Sequence, residues 1–399
     1  MFLTKEQQMM LDGEYGFAIA KLTKLVVKIG EVNDATKLIP IKNAQIAGVS
    51  YFTVGDPIFS FFNMLSKDKV KVSVPSWLNP AGMDMERWEE MGVLESFADK
   101  QRRIIQHYKE MGIETTLTCT PYLIGHQPKL GDHLAWSESS AVSMANAYYG
   151  ARTNREGGPS SLASAIIGYT ADYGLHKVEN RVPSIIVDVN TSTANFSDFS
   201  ALGYWYGEKF HGVIPYFKGI KNTHIDQVKM LGAAMAASGS VAHFHIENHT
   251  PEARKVDMNY VTNIVSFDEK DKKQVYDHFN QIKEDANLVV IGCPHSSLED
   301  IQYIHSTLGE KSIKEGIEFW IFSSQKLMQT DDAKKFLTNL EVKGVKIFTD
   351  TCMVVTPVIR RNYKNILTNS AKAAFYLTRD GTNKVNLLSL FEIMEGVSE

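Results

Sequence analysis

Apolar runs short enough to be strands alternate with longer amphipathic runs along most of the chain, and this alternation limits the fold more than any other feature. The strand candidates are "AQIAGVSYF" (44–52), "KVKVSVP" (69–75), "IETTLTCTP" (113–121), "PSIIVDV" (183–189), "VAHFHI" (241–246), "NLVVIGCP" (287–294), "IEFWIFSS" (317–324) and "VKIFTDTC" (345–352). Helical spacing occupies 85–112, 272–285 and 331–344, the last closed by Gly344, a residue suited to a left-handed C-cap. A strand apolar on both faces must be covered on both faces, and an intervening helix returns the chain to begin the next strand in the same direction. The pattern predicts an α/β fold of largely parallel sheets between helices. A length of 399 residues allows two or three such units. Boundaries are expected near 150–160 and near the polar stretch "ENHTPEARKVD" (247–257).

The formal net charge of −4 offers no basic field for nucleic acid and no polybasic tail for a membrane surface. The start, "MFLTKEQQMM", has polar residues where a secretory signal needs an apolar core. No run of about 18 apolar residues suggests a membrane span. A cytoplasmic protein is expected, and in such a compartment three cysteines are core residues, metal ligands or nucleophiles rather than a disulfide framework.

Their positions are informative. Cys119 follows "IETTLT", Cys293 follows "NLVVIG" and Cys352 follows "VKIFTDT", so each is expected at the carboxyl end of a strand, where parallel sheets bind ligands. Proline follows Cys293 directly and Cys119 after one residue, which keeps both loops out of regular structure. Three small buried hydrophobes would be the plain reading. The alternative is one metal centre built from three loops. Zinc fits it less well, because the paired C-x2-C spacing is absent. Three thiolates suit an iron–sulfur cluster, and a four-iron cluster on three cysteines leaves one iron open as a Lewis acid.

Other segments carry weaker signals. "GARTNREGGPSSLASAI" (150–166) places Arg152 and Arg155 before a Gly-Gly-Pro turn and a helix start, an arrangement able to hold an anion but as often only a loop. In "AWSESSAV" (135–142) Glu138 and Ser139 open an apolar helix, where capping is the simpler role. "LTNSAKAAFY" (367–376) puts Lys372 in a first helical turn, against the helix dipole. "SWLNPAGMD" and "IAGVSYF" are further strand-end loops with free backbone donors. His243 and His245, two apart on one strand face, read as structural because no carboxylate or cysteine joins them at ligand spacing. No G-x-S-x-G, Walker A or dinucleotide fingerprint is present in the sequence, so serine hydrolase, nucleotide-binding and dehydrogenase readings lack support.

Taken in order, "NPAGMD", "CTPYLIGHQPKLGDHLAWSESSAV", "GARTNREGGPSSLASAIIG", "YGLHKVENR", "LGAAMAASGSV", "GCPHSS", "CMVVTPV" and "TNSAKAAFY" resemble the large subunit of the aconitase X family across roughly residues 45–376. The resemblance implies aconitase-like three-layer α/β/α domains and an iron–sulfur hydro-lyase. Cys119, Cys293 and Cys352 would bind one [4Fe-4S] cluster. Substrate contacts would come from Gly48, Val49 and Ser50, Asn79 and Pro80, Glu138 and Ser139, and Lys372, with Arg152 and Arg155 as further anion contacts. Two activities are associated with the family: dehydration of (R)-mevalonate 5-phosphate to trans-anhydromevalonate 5-phosphate, and dehydration of cis-3-hydroxy-L-proline. The form "TNREGGPS" looks more like the first group. The base in aconitases is a serine on a swivelling domain, which this chain is expected to leave to a small partner subunit. A non-catalytic binding or assembly protein with three buried thiols is the competing reading. It accounts for the composition but not for the shared strand-end placement.

Overall fold

The computed structural model describes every residue except Asn222, and for Tyr260 the backbone alone. Three parallel sheets follow one another along the chain, which bears out the expected α/β class. The first has the strand order Ser76–Leu78, Ala44–Ile46, Ala135–Trp136. The second is ordered His245–Ile246, Pro215–Lys218, Ile185–Val189, Asn263–Phe267. The third is ordered Val345–Thr349, Glu318–Ser323, Leu288–Ile291, Asn365–Thr368, Lys384–Leu387. An antiparallel pair, Leu38–Pro40 with Tyr169–Ala171, ties the two ends of the first unit together.

The third sheet displays the physics most directly. Along Leu288–Ile291 and Glu318–Ser323, Leu288, Val290, Trp320 and Phe322 enter one buried cluster, while Val289, Ile291, Phe319 and Ile321 enter another. Alternate residues point to opposite faces, so a run of apolar residues without alternation is what a strand needs when helices cover both sides. In each parallel sheet the earliest strand lies inside, and the chain works outward on one side before its later strands pair on the other. In the third sheet that reversal falls between Leu288–Ile291 and Asn365–Thr368; in the first it falls between Ala44–Ile46 and Ala135–Trp136. Crevices open outside the carboxyl ends of strands at such reversals.

Several strands are shorter than their sequences suggest, for identifiable reasons. The run 69–75 is not a strand. Its donors go to helix-end carbonyls, Val72 N to Met111 O and Ser73 N to Ala165 O, and pairing begins only after Pro75. The run 113–121 is extended but not a strand. It touches the first sheet through a Trp77–Glu114 bridge and a bond from Thr118 N to Leu78 O, and Leu117, at φ 45°, interrupts it. Cys119 therefore follows an interrupted edge segment rather than a strand. Of 241–246 only His245–Ile246 pairs, and of 44–52 only Ala44–Ile46; Ser50 caps a helical turn over Tyr51–Val54. The helix expected over 85–112 is confined to Glu95–Glu110, because Asp84 Oδ1 accepts from the amides of Glu86 and Arg87 and turns the chain there. His243 and His245 are buried, and His245 Nε2 bonds the Arg181 carbonyl at 2.8 Å, in keeping with a structural role.

Candidate active site

The carboxyl ends of the first and third sheets face each other across a cavity of about 270 Å³. Ala47, Asn79, Pro80, Ser137, Glu138 and Ser139 come from loops leaving the three strands of the first sheet. Gly292 and Cys293 leave Leu288–Ile291, Cys352 follows Val345–Thr349, and Lys372 follows Asn365–Thr368. Cys119 completes the set. The sheets are joined beside it by Ala81 N, which donates to Asp350 O at 2.8 Å.

All three cysteines line this one cavity and all are buried. The loop "GCP" needs its glycine. Gly292 has φ 107°, and a Cβ there would lie 2.1 Å from the Phe322 carbonyl oxygen. The Cys293–Pro294 peptide is cis. Burial pushes every one of the thiol pKa values up, Cys119 to about 12. Neighbouring groups oppose that rise and would favour a thiolate once a metal replaces the proton. His295 N–H donates to Cys119 Sγ at 3.2 Å, the Val354 and Val355 amides donate to Cys352, and the Lys372 ammonium acts on all three sulfurs. Three buried sulfurs beside amide donors and a cation are a donor set suited to an iron–sulfur cluster held by three cysteines.

Opposite the thiols, Lys372 and Glu138 form a buried ion pair, joining residues 234 apart in the chain. Glu138 caps the helix Ser139–Ser143, its Oε1 accepting from Ser140 N (3.3 Å) and Ser140 Oγ (3.0 Å). Its other oxygen accepts from Asn79 Nδ2 at 3.3 Å. Burial alone would raise the Glu138 pKa; Lys372, the Ser140 amide and Arg155 outweigh it and hold the carboxyl at about 2. Burial likewise works against the Lys372 ammonium, and the Glu138 carboxylate beside it keeps the pKa above the usual lysine range. Lys372 sits in the first turn of Ala371–Thr378, capped by Ser370, and Ser370 Oγ also donates to the Cys293 carbonyl.

The residues singled out from sequence are not all in the cavity wall. Asn79, Pro80, Glu138, Ser139, Lys372, Arg155 and the three cysteines line it. Gly48, Val49 and Ser50 stand immediately behind: Ser50 Oγ donates to the carbonyl of Val355, a wall residue, at 2.7 Å, and a Cβ on Gly158 would meet the Ala47 carbonyl at 2.6 Å. Arg152 is not in the wall. Its backbone bridges His133, near His176 and Arg181. The exposed Arg155 reaches the wall, anchored by one guanidinium nitrogen on the Ala236 carbonyl at 3.2 Å. Sequence reasoning missed Ser137, Val354, Val355 and Tyr376. Tyr376 stands four residues after Lys372 on the same helix face, a spacing that could have revealed it. Among the described residues His224, Asp226 and Glu299 bring three ligand atoms within 4.8 Å of one another, closer than the three sulfurs lie, but Asp226 is already engaged by Lys229 (2.6 Å) and Ser297 (2.9 Å). No helix among the described residues is long and apolar enough to cross a membrane.

Models of the aconitase X first, second and third domains match residues 1–179, 183–277 and 286–398, each containing one of the three parallel sheets. The chain belongs to the aconitase X family. It is 43% identical to the phosphomevalonate dehydratase large subunit of Methanocaldococcus jannaschii, over 99% of this chain and 100% of that one. The crystal structure of Thermococcus kodakaraensis aconitase X in its holo-form superposes with a TM-score of 0.93 at 42% identity, covering all of both chains. A more distant relative, the cis-3-hydroxy-L-proline dehydratase of Pseudomonas aeruginosa, is 28% identical over 92% of this chain and 65% of that protein.

Proposed function

We propose that this chain is the large subunit of a hydro-lyase that dehydrates (R)-mevalonate 5-phosphate to trans-anhydromevalonate 5-phosphate. The observation that carries the proposal is the convergence of Cys119, Cys293 and Cys352 on one cavity opposite the Lys372–Glu138 pair. Full-length similarity to phosphomevalonate dehydratase large subunits supports the phosphate substrate over the hydroxyproline, whose enzyme is the more distant relative. The three cysteines would hold an iron–sulfur cluster of the four-iron type, which when bound supplies a Lewis acid for the leaving hydroxyl.

The chain's own residues bind and orient. Lys372 presents an ammonium to the substrate carboxylate while Glu138 keeps it charged in a buried place. Asn79 and Ser139 supply polar contacts from the facing loops. Arg155, exposed at the edge of the cavity, is the cation placed to take a phosphate, whereas Arg152 is not. The Gly48–Ser50 loop supports the wall from behind, with the Gly48 carbonyl held by Tyr108 and the Val49 carbonyl by Gln101. A small partner subunit, named for by the "large subunit" of the relatives, would bring the serine base and close the cavity against water.

The test is anaerobic reconstitution with iron and sulfide, then assay of the large chain with and without the small subunit on mevalonate 5-phosphate and on cis-3-hydroxy-L-proline. Phosphate-substrate turnover that needs both chains is expected. Turnover of the proline alone would overturn the substrate, and full activity without the partner would overturn the division of labour. A chain that takes up no iron would favour a binding or assembly role.

A further inference from the structure

We infer that His295 is a positioning residue that locks the three cysteine loops into one frame. The consequence for a cluster rests on the metal reading above; the geometry does not. His295 follows Cys293 by two residues, and all four of its polar atoms are spent on different partners. Its N–H donates to Cys119 Sγ at 3.2 Å. Its Nδ1 lies 3.0 Å from Thr118 Oγ1, one residue before Cys119. Its Nε2 lies 2.8 Å from the carbonyl of Thr351, one residue before Cys352. Its own carbonyl accepts from Lys229 Nζ at 3.2 Å.

The tautomer follows from the partners. A carbonyl only accepts, so Nε2 carries the hydrogen, and the bare Nδ1 accepts from the Thr118 hydroxyl. His295, Thr118 and Thr351 are all fully buried, so water does not compete for these bonds. Lys229 is buried as well and neutralised by Asp226 (2.6 Å) and Asp300 (3.2 Å), which makes a rigid base under the loop. Among the described residues no other side chain bonds to all of these loops. Each loop comes from a different part of the chain, and no sheet ladder joins Cys119 to the other two thiols. The ring does not line the cavity, so it acts through the thiols' placement and not on substrate. Groups that orient metal ligands from behind typically change metal affinity by about 10- to 100-fold when removed.

The test compares the full-length wild type with His295→Leu, His295→Gln and Thr118→Val. Leucine fills volume without hydrogen bonds, glutamine can still donate to Thr351, and valine removes the bond at Nδ1 together with the Thr118 hydroxyl's bonds to Thr120 across Cys119. The first measurement uses the metal-free chain and reads the alkylation rate of each thiol by peptide mass spectrometry. A buried thiol reacts only when its loop opens, so its rate reports how firmly that loop is held. All three thiols should react slowly in wild type; in His295→Leu, Cys119 and Cys352 should react at least about tenfold faster, with His295→Gln between and Thr118→Val affecting Cys119 alone. The second measurement is iron retained per chain after anaerobic reconstitution, with its electron paramagnetic resonance spectrum; it should follow the same order. The third is the thermal midpoint of the metal-free chain, which should stay near wild type. Wild-type alkylation rates and wild-type iron binding in His295→Leu would overturn the inference. So would losses that merely track a falling midpoint, since any buried structural residue would produce those. Should His295→Leu not fold, His295→Gln decides by the same criteria. A wild type that takes up no iron, with thiols that His295→Leu still exposes to alkylation, would remove the metal reading and leave the locking role standing.

Discussion

Lys372 and Glu138 are each acceptable to a buried site only because of the other. Removing one partner of such a pair leaves an uncompensated charge, at a cost of roughly 3–5 kcal/mol, whereas replacing both can be close to neutral. Lys372→Met should therefore lower the unfolding free energy of the metal-free chain by about 3 kcal/mol, and the double variant Lys372→Met/Glu138→Gln should recover most of it. Urea unfolding of the four proteins measures this, and additive losses would count against the pair. In the reconstituted two-chain enzyme Lys372→Met should also raise KM for an anionic substrate. A second residue sets an acid limit. His176 is buried, and burial first, then His133 and the arginines near it, hold its pKa at about 3. In the unfolded chain it would titrate near 6.5. As pH falls through 6.5 the unfolded chain takes up a proton that the folded chain refuses, so stability should drop between about pH 6.5 and pH 3. Thermal midpoints from pH 7 to pH 4 should fall less steeply in His176→Gln than in wild type. At this scale the cysteines were readable from sequence, because each follows a run of strand-like composition and two lie within two residues of a proline. The pairing of Lys372 with Glu138 was not readable, since 234 residues separate them. Nor was the choice between Arg152 and Arg155, which depends on how the backbone turns after the His133 bridge.

Secondary-structure elements explain why the sequence pattern worked in one half of the molecule better than in the other. In the third sheet three continuous apolar runs matched strands to within about three residues at either end, because helices cover both faces and nothing else can accommodate such runs; Asn365–Thr368 and Lys384–Leu387 were not read as strands. In the first unit, "KVKVSV" and "IETTLT" have strand-like composition, yet their backbone donors are taken by helix ends or broken at Leu117. Strand propensity describes what fits a pleated, half-buried surface, and these segments are extended and half-buried without a ladder. The strand Asn263–Phe267 escaped notice for the opposite reason: it is an edge strand with most of its residues turned outward. The loop after Leu288–Ile291 yields a prediction of its own. Gly292→Ala would force a left-handed backbone on an L side chain and drive its Cβ into the Phe322 carbonyl. It should destabilise the chain by at least about 2 kcal/mol and reduce iron uptake, read by urea midpoint and metal analysis. Gly381→Ala, with positive φ but open space around it, should cost less and leave iron uptake intact.

Across the whole molecule, one buried cluster runs through all three units. It holds Trp136 from the first, Trp205 from the second and Trp320 from the third. The side chains that join the units are as buried as those within them, and Ser200 Oγ of the middle unit accepts from Ala371 N at the start of the lysine helix. Unfolding should consequently be a single transition. Fluorescence of variants retaining one of these three tryptophans should give coincident melting curves, and curves separated by more than about 5 °C would show units that melt independently.

The three thiols also impose an order on the protein's life. Cys119 and Cys352 are separated by roughly 230 residues of chain, which at about 5–20 residues per second takes on the order of 10 to 50 s to synthesise. Throughout that interval the first thiol exists without the third. A metal centre that needs both can be installed only on a chain that has been almost wholly made and has already closed its sheets against each other. Loading of such a centre would then be a readout of correct folding, and a chain that failed to bring the three thiols together would be left without it.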